Sequence, residues 1–318
     1  MATWKSGKPQ LSIITALYNC LPLTQAMVAS LQASLGWWIS YEVILVDDGS
    51  TDGTREWLAT LKKPFRVILN EGNMGYAKSN NRGAAAAEGE VLAFLNNDLV
   101  LGGGWLGPML SALNSMGGRA GIVGNVQVNP STGEVDHAGI VINLKGKPDH
   151  VRKAPSLFSR VFRPVRPVAA ATGACLLIRA ETWRKLGGFD EGYLNGCEDV
   201  DLCLRARAAG LGTVVALRSR ILHHVSSSPG RNLRHEENAR RLFLKWRSEL
   251  AILASRKVTG RMFLRYLAEP RNIPSVPMAI WVAAYAAHIH SRPPSKAVTG
   301  MLRNIDVELA RWRELFSG

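Results

Sequence analysis

Four groups of residues in this chain have types and spacings suited to chemistry on a charged substrate. Asp47-Asp48-Gly49-Ser50-Thr51-Asp52-Gly53-Thr54 can offer carboxylates to the polar edges of a base and a ribose. The same residues also suit a turn whose Asp and Ser cap a following helix, and both accounts can hold at once. Asn96-Asn97-Asp98 contains one carboxylate. Such a group suits a hard divalent cation that keeps some waters and bridges phosphate oxygens, against the bland account of a polar turn. In Glu198-Asp199-Val200-Asp201-Leu202-Cys203-Leu204-Arg205, Glu198 and Asp201 share a helix face, and Asp201 and Arg205 stand at pairing distance. First-turn acids also suit the helix dipole. Neither account covers Asp199, and a carboxylate set beside a like charge is a candidate general base. His223 and His224 are either ordinary structural histidines or, opposite a metal carboxylate, a further ligand; the sequence leaves the two neighbours undivided.

Such groups need a scaffold that gathers them at one edge. Leu11–Thr15, Glu42–Val46, Phe65–Leu69 and Val91–Leu95 are short apolar runs that read as buried strands. Helical patterns over Leu23–Leu35, Thr54–Leu61 and Ala77–Ala87 separate them. The alternation predicts an α/β fold, with a mostly parallel, Rossmann-like sheet flanked by helices. Functional groups of such a sheet collect beyond the carboxyl ends of its strands, where Thr15–Asn19, Asp47–Ser50 and Asn96–Asp98 fall. Further strands are expected within 120–144, over Ala174–Ile178 and over Gly212–Leu217, with a helix over Val200–Ala209. Lys145–Pro167, basic and holding four prolines, reads as a loop over the site. From Arg231 the chain reads as Arg-rich helices broken around Pro270–Pro277. Two domains are therefore expected, 1–230 and a basic helical extension 231–318.

The 318 residues carry a formal charge of +14, and Arg218 onward holds 18 Lys and Arg against 7 Asp and Glu. That tail draws polyanions. It lacks a recognised nucleic-acid motif and shows little aromatic interleaving, which disfavours nucleic acid. Phe243, Trp246 and Leu250 among arginines suggest an amphipathic helix on an anionic membrane surface. The competing accounts are packing on the main domain and a homo-oligomer contact. Val276–Ile289, the longest apolar stretch, falls short of the roughly 20 residues of a membrane span. The opening ten residues are short and polar, and the four cysteines form no CxxC pair. A reduced cytoplasmic setting, peripheral to the inner membrane face, fits these features. Thr-Ala-Leu-Tyr-Asn follows the first strand where a dinucleotide dehydrogenase would carry GxGxxG. No Gly-rich phosphate loop with a following Lys marks a nucleotidyltransferase.

Read together, LSIITALYN (11–19), EVILVDDGSTDGT (42–54), NMGYAKSNNRG (73–83), FLNND (94–98), GACLLIR (173–179), GGFDEGYLNGCEDVDLCLR (187–205) and the closing HHVSSSPG resemble glycosyltransferase family 2, the inverting enzymes of the GT-A fold. The resemblance spans roughly residues 10 to 230, and the order and spacing of its motifs make it specific. It implies transfer of a sugar from a UDP- or dTDP-linked donor to a hydroxyl of a glycan or lipid-linked glycan, in cell-surface polysaccharide or glycolipid synthesis. Thr15, Leu17 and Asn19 would line the base pocket and Asp47 would contact the base, with Asp48, Asn73 and Asn97 in the same nucleotide-binding set. Asp98 would bind Mn²⁺ or Mg²⁺ as the last residue of the family's DxD motif, and His223 or His224 would complete the metal site. Asp199 would deprotonate the acceptor, supported by Glu198 and Asp201. Asn96 and Asn97 depart from the DxD pattern, as in rhamnosyltransferase-like and O-antigen-like members, which implies a differently built metal site. A non-catalytic nucleotide-sugar-binding protein would keep Asp47 and Asp98 but would have no use for Asp199.

Overall fold

Every residue from Leu11 to Ile14 is fully buried, a pattern that needs cover on both faces of a strand. The computed structural model describes residues 8–36, 38–115, 120–224, 234–273, 275–287, 289–290 and 292–317. Val225–Gly230 of the closing motif, the expected 230/231 boundary and His288 lie outside these residues. The chain begins with β1 (Leu11–Leu17), α1 (Leu21–Ser34), β2 (Tyr41–Asp47), α2 (Thr54–Leu58), β3 (Phe65–Leu69), α3 (Tyr76–Ala85) and β4 (Val91–Leu95). These four strands pair in parallel in the order β3-β2-β1-β4. Leu17 stands opposite Asp47 in the register, so the polar turns that follow β1 and β2 emerge side by side.

The chain continues through β5 (Leu99–Val100), α4 (Leu106–Ser115), β6 (Ala120–Val128), β7 (Val135–His137), β8 (Ile140–Ile142), β9 (Pro148–His150), α5 (Leu157–Phe162), β10 (Val165–Val168), β11 (Cys175–Arg179), α6 (Ala180–Leu186), α7 (Glu198–Ala208) and β12 (Gly212–His223). Antiparallel β11 sits between β4 and β6, and the sheet order is β10-β12-β6-β11-β4-β1-β2-β3, with β5 on β12 and β7 on β6. On one face Leu11, Ile13 and Leu17 pack with Met27 and Leu31 of α1, with Trp105 and with Met109 of α4. On the other, a Cβ at Gly83 would lie 2.6 Å from Ile14 Cγ2; the small residues of α3 let it approach that closely.

The stretch 145–167 is not a plain loop, since it contains β9, α5 and the start of β10. Ser156 caps α5 by accepting from Ser159 N–H at 3.1 Å, and six residues are too few to show a helical period. β12 also runs past Leu217 to His223, because Ser219 and Ile221 point inward between exposed Arg218 and Arg220.

By internal contacts the chain divides into Met1–Ile140 with His150–His235, and Val141–Asp149 with Glu236–Gly318. The second unit holds α8 (from Glu236 of His235–Ala268), α9 (Val276–Ala286) and α10 (Ser295–Leu315). Residues 141–149 join it through Lys147 Nζ–Glu308 Oε2 at 3.0 Å and Asn304 Nδ2 donating to Leu144 O at 3.0 Å. Phe243 and Leu250 are fully buried there, with Phe243 edge-on to Trp312. These two tail residues are thus part of the second unit's own core. Among the described residues no helix is long and apolar enough to cross a membrane. The four cysteines are free thiols.

Candidate active site

The turns after β1 and β2 are bound into one another. Asn19 and Cys20 take left-handed backbone (φ 54° and 59°), which turns the chain so that Asn19 N–H donates to Ser50 Oγ at 2.8 Å. Asn19 Oδ1 accepts from Thr51 N–H at 2.8 Å. Asp47 is fully buried; its Oδ2 receives Arg55 Nε at 2.7 Å and the amides of Gly49 and Ser50. Asp48 accepts from Asn70 Nδ2, Met74 N–H and Ser79 Oγ on Oδ1 and from Gly75 N–H on Oδ2, at 2.7 to 2.9 Å. It pins the loop before α3. A Cβ at Gly49 (φ +85°) would come within 2.8 Å of the Gly72 backbone, so only glycine lets that loop close. Leu17 places its side chain in the core and its carbonyl on Asp48 N–H. Thr15 Oγ1 is buried without a hydrogen-bond partner. Asn73 is exposed, with Oδ1 accepting from Gly75 N–H at 3.1 Å.

The second corner is built by strand pairing. β5 runs antiparallel to the end of β12, with His223 opposite Leu99, and this sets His223 beside Asp98 despite their separation in sequence. His223 Nε2 and Asp98 Oδ1 approach to 3.3 Å. Both atoms are buried without a hydrogen-bond partner, as is His223 Nδ1. His223 meets the carboxylate, and His224, just past the strand, meets Asp98 O through its backbone N–H at 2.9 Å. Asn97 Nδ2 donates to Thr24 Oγ1 on α1 at 3.0 Å. Among the described residues no group of three or more His, Cys, Asp or Glu side chains converges as a metal cage.

The third corner is the first turn of α7. Asn195, Gly196 and Cys197 all have positive φ, a tight entry that leaves the three acids in different surroundings. Glu198 is buried, with Oε2 accepting from Gly196 N–H at 2.6 Å. Asp201 is fully buried and pairs with Arg205 Nε at 2.7 Å, the pairing its spacing allows. Asp199 alone of the three is partly open. Its Oδ2 accepts from Gly173 N–H at 2.9 Å and its Oδ1 from Val200 N–H at 2.7 Å.

Gly173 and Ala174 join the second and third corners: Gly173 donates to Asp199, and Ala174 O accepts from Asn96 N–H at 2.9 Å. Consecutive Cα atoms lie about 3.8 Å apart, so two adjacent residues tie the Asp199 carboxylate to the backbone of Asn96, two residues before Asp98. Several supporting residues carry no chemical signal in the sequence. Tyr76 donates its hydroxyl to Gly173 O at 2.8 Å, and Asn195 Oδ1 receives Tyr76 N–H at 3.0 Å. Asn81 brackets Phe189 through N–H and carbonyl contacts, both at 2.9 Å. Their only trace was membership of the NMGYAKSNNRG and GYLNG segments. His137 is fully buried, with Nδ1 3.2 Å from His150 Nδ1; burial, then the charges of His150 and His223, hold its pKa well below the ordinary value.

Residues 12–185 match the family described as Glycosyl transferase family 2. The O-antigen biosynthesis protein RfbC of Myxococcus xanthus is 34% identical, over 70% of this chain and 18% of its own length. The N-acetylglucosaminyl-diphospho-decaprenol L-rhamnosyltransferase of Mycobacterium tuberculosis is 30% identical, over 70% of this chain and 78% of its own length. Two of the curated relatives extend well beyond this chain, which spans 27% and 18% of their lengths. Among solved structures, GalNAc-T7 with UDP, GalNAc and Mn²⁺ superposes with a TM-score of 0.63 at 18% identity, over 92% of this chain and 59% of that one. The likeness is one of fold.

Proposed function

The chain belongs to glycosyl transferase family 2 and has its GT-A type of fold, and we propose that it moves a sugar, with inversion, from a UDP- or dTDP-linked donor to an acceptor hydroxyl. The observation that carries this reading is the Gly173-Ala174 link between Asn96, on the strand end that leads to Asp98, and the one partly open acid of α7. One corner suits the leaving diphosphate and the other suits the attacking oxygen.

Asp98 and His223 would hold a divalent cation, Mn²⁺ or Mg²⁺, which when bound supplies positive charge to the leaving diphosphate. The fit rests on three buried atoms of these side chains that have no hydrogen-bond partner. Two protein ligands suit a hard cation that completes its shell with phosphate oxygens and water. The Asn19–Ser50–Thr51 turn, with Thr15 behind it, would receive the nucleoside, while Asp47, Asp48 and Asn73 hold that turn and its neighbouring loop in shape. The acceptor oxygen attacks the anomeric carbon opposite the diphosphate. A carbon–oxygen bond forms as the bond to the diphosphate oxygen breaks, and the hydroxyl proton passes to Asp199. Backbone donors on both Asp199 oxygens fix its direction. We place the reaction at an anionic membrane face on the cytoplasmic side, with a glycan or lipid-linked glycan as acceptor; the support is the chain's net charge of +14.

Asp199→Asn is the test. It should bind dTDP and UDP as wild type does by calorimetry, yet lose sugar transfer by a factor on the order of 10² to 10⁴. Full transfer in this variant would remove Asp199 as the base.

A further inference from the structure

Helix α5 (Leu157–Phe162) has no buried residue. Leu157, Phe158, Val161 and Phe162 are 69%, 62%, 45% and 70% exposed. Successive helical residues turn by about 100°, so these four fall within an arc of about 140° on one face. The Phe158 and Phe162 rings contact each other with centroids 4.9 Å apart. Four large apolar side chains grouped on a surface mark a contact surface, unlike scattered single ones.

The fold holds this face outward. A six-residue helix does not form by its own propensity. Here Ser156 closes the first turn. Arg218, reaching from β12, donates Nε to Arg160 O at 2.6 Å and Nη2 to Val161 O at 3.0 Å. Just beyond the helix, Val165 pairs with Ala216 of the same strand. A pinned helix whose apolar arc stays largely exposed has a face built for something other than this unit's core.

The surrounding charge identifies the occupant. From His150 to Ala170 the chain carries Arg152, Lys153, Arg160, Arg163 and Arg166 and no acid. The first four are exposed, as are Arg218 and Arg220 on β12. Exposed Asp149 precedes this segment, and Asp136 reaches Arg152 only at 4.0 Å. An apolar arc flanked by cations is the pattern of a helix lying in the headgroup layer of an anionic bilayer. Two of the three tail residues that suggest a membrane face, Phe243 and Leu250, are buried.

We infer that α5 is a membrane-docking helix, which inserts Leu157, Phe158, Val161 and Phe162 among the acyl chains of an anionic phospholipid bilayer while the nearby arginines and lysine bind its headgroups. Arg218 precedes His223 by five residues on β12, about 16 Å along a strand. Docking through α5 therefore brings the proposed diphosphate corner close to the bilayer. The inference deepens the proposed membrane setting and rests on it for its purpose, whereas vesicle binding is measured without donor or acceptor.

The experiment is co-sedimentation of the full chain with phosphatidylcholine vesicles that contain or lack phosphatidylglycerol, at low and physiological salt. Wild type should bind only the anionic vesicles, more weakly as salt screens the cations. The Phe158→Ser/Phe162→Ser variant should lose at least tenfold in partition while keeping its thermal midpoint and nucleotide binding. The Phe158→Trp/Phe162→Trp variant should retain binding and gain quenching by brominated lipids, which tests the inference even if the serine variant misfolds. Unchanged partition of the serine variant would overturn it, as would absence of the added quenching. Loss of partition in Ile280→Ser instead, dimerisation through α5 that the serine variant abolishes, or preference for duplex DNA over vesicles would each overturn it too. Failure to bind any nucleoside diphosphate would count against the transferase reading and leave the vesicle result standing.

Discussion

Gly173 donates its amide to Asp199 Oδ2 at 2.9 Å, and its carbonyl receives the Tyr76 hydroxyl at 2.8 Å. The peptide units on either side of one glycine thus link the proposed base to the first residue of α3, whose amide Asn195 holds at 3.0 Å. A Cβ at Gly173 would lie 2.7 Å from the Tyr76 oxygen, so the close contact requires this glycine.

Tyr76→Phe keeps the ring against Phe189 and removes only the hydroxyl. A hydrogen bond of this kind contributes roughly 0.5 to 1.5 kcal/mol net. The expected result is kcat about three- to tenfold lower with KM for the donor within twofold, because Asp199 is less well held while the nucleotide site is untouched. Steady-state kinetics with both substrates checks this. A lower thermal midpoint with unchanged kcat would show that Tyr76 supports the fold alone.

The parallel half of the sheet was legible because its strands are buried runs, such as Leu11–Ile14 and Val43–Val46, cut by polar turns. β12 runs beyond the expected Gly212–Leu217: Arg218-Ser219-Arg220 interrupts the apolar run, while in the sheet its residues alternate exposed, buried, exposed. Helix α5 was hidden between Pro155 and Pro164, too short for any periodicity to appear. Residues 141–149 gave no sign of joining the C-terminal helices, since Lys147–Glu308 and Leu144–Asn304 are contacts distant in sequence. In the site, Asp98 and Asp199 stood out as acids without a packing role. The contact of His223 with Asp98 depends on the pairing of β12 with β5, which joins residues distant in sequence. The part Asp48 plays depends on four hydrogen bonds to the 70–79 segment, which lies too far along the chain for its own motif to reveal.

Asp98→Asn and His223→Ala test the proposed cation site. With Mn²⁺ present, each should weaken binding of a nucleoside diphosphate by on the order of tenfold to a hundredfold. In chelator, where only turn contacts remain, the variants and wild type should bind alike. Calorimetry with and without metal reads the difference. Equal weakening under both conditions would assign Asp98 and His223 to shaping the pocket instead.

Asp48→Ala should be among the most destabilising single changes in the first unit. It leaves Asn70 Nδ2, Ser79 Oγ and the Met74 and Gly75 amides without this buried acceptor. Each unsatisfied buried donor costs about 1 to 3 kcal/mol; with some donors re-paired, a net loss of about 3 to 5 kcal/mol is expected from urea unfolding. Asn73→Ala, at an exposed position with one local contact, should lose less than about 1 kcal/mol. Similar values for the two would mean that the loop is not pinned by Asp48.

His137 makes stability depend on pH in a direction that follows from its burial. Thr172 N–H approaches its Nε2 at 3.5 Å and His150 Nδ1 approaches its Nδ1 at 3.2 Å. A neutral ring can use each nitrogen once, accepting at Nε2 and donating at Nδ1. Burial, then the charges of His150 and His223, lower its folded pKa well below 6.5. Below pH 6.5 the unfolded chain takes up a proton at this residue and the folded chain does not, so stability falls as the solution is acidified. The slope from one such group reaches at most about 1.4 kcal/mol per pH unit. In His137→Gln this contribution is absent, so the stability difference between wild type and variant should shift against wild type from pH 8 to pH 5.5. Urea midpoints across that range measure it, and parallel curves for the two proteins would show that the ring is not held neutral.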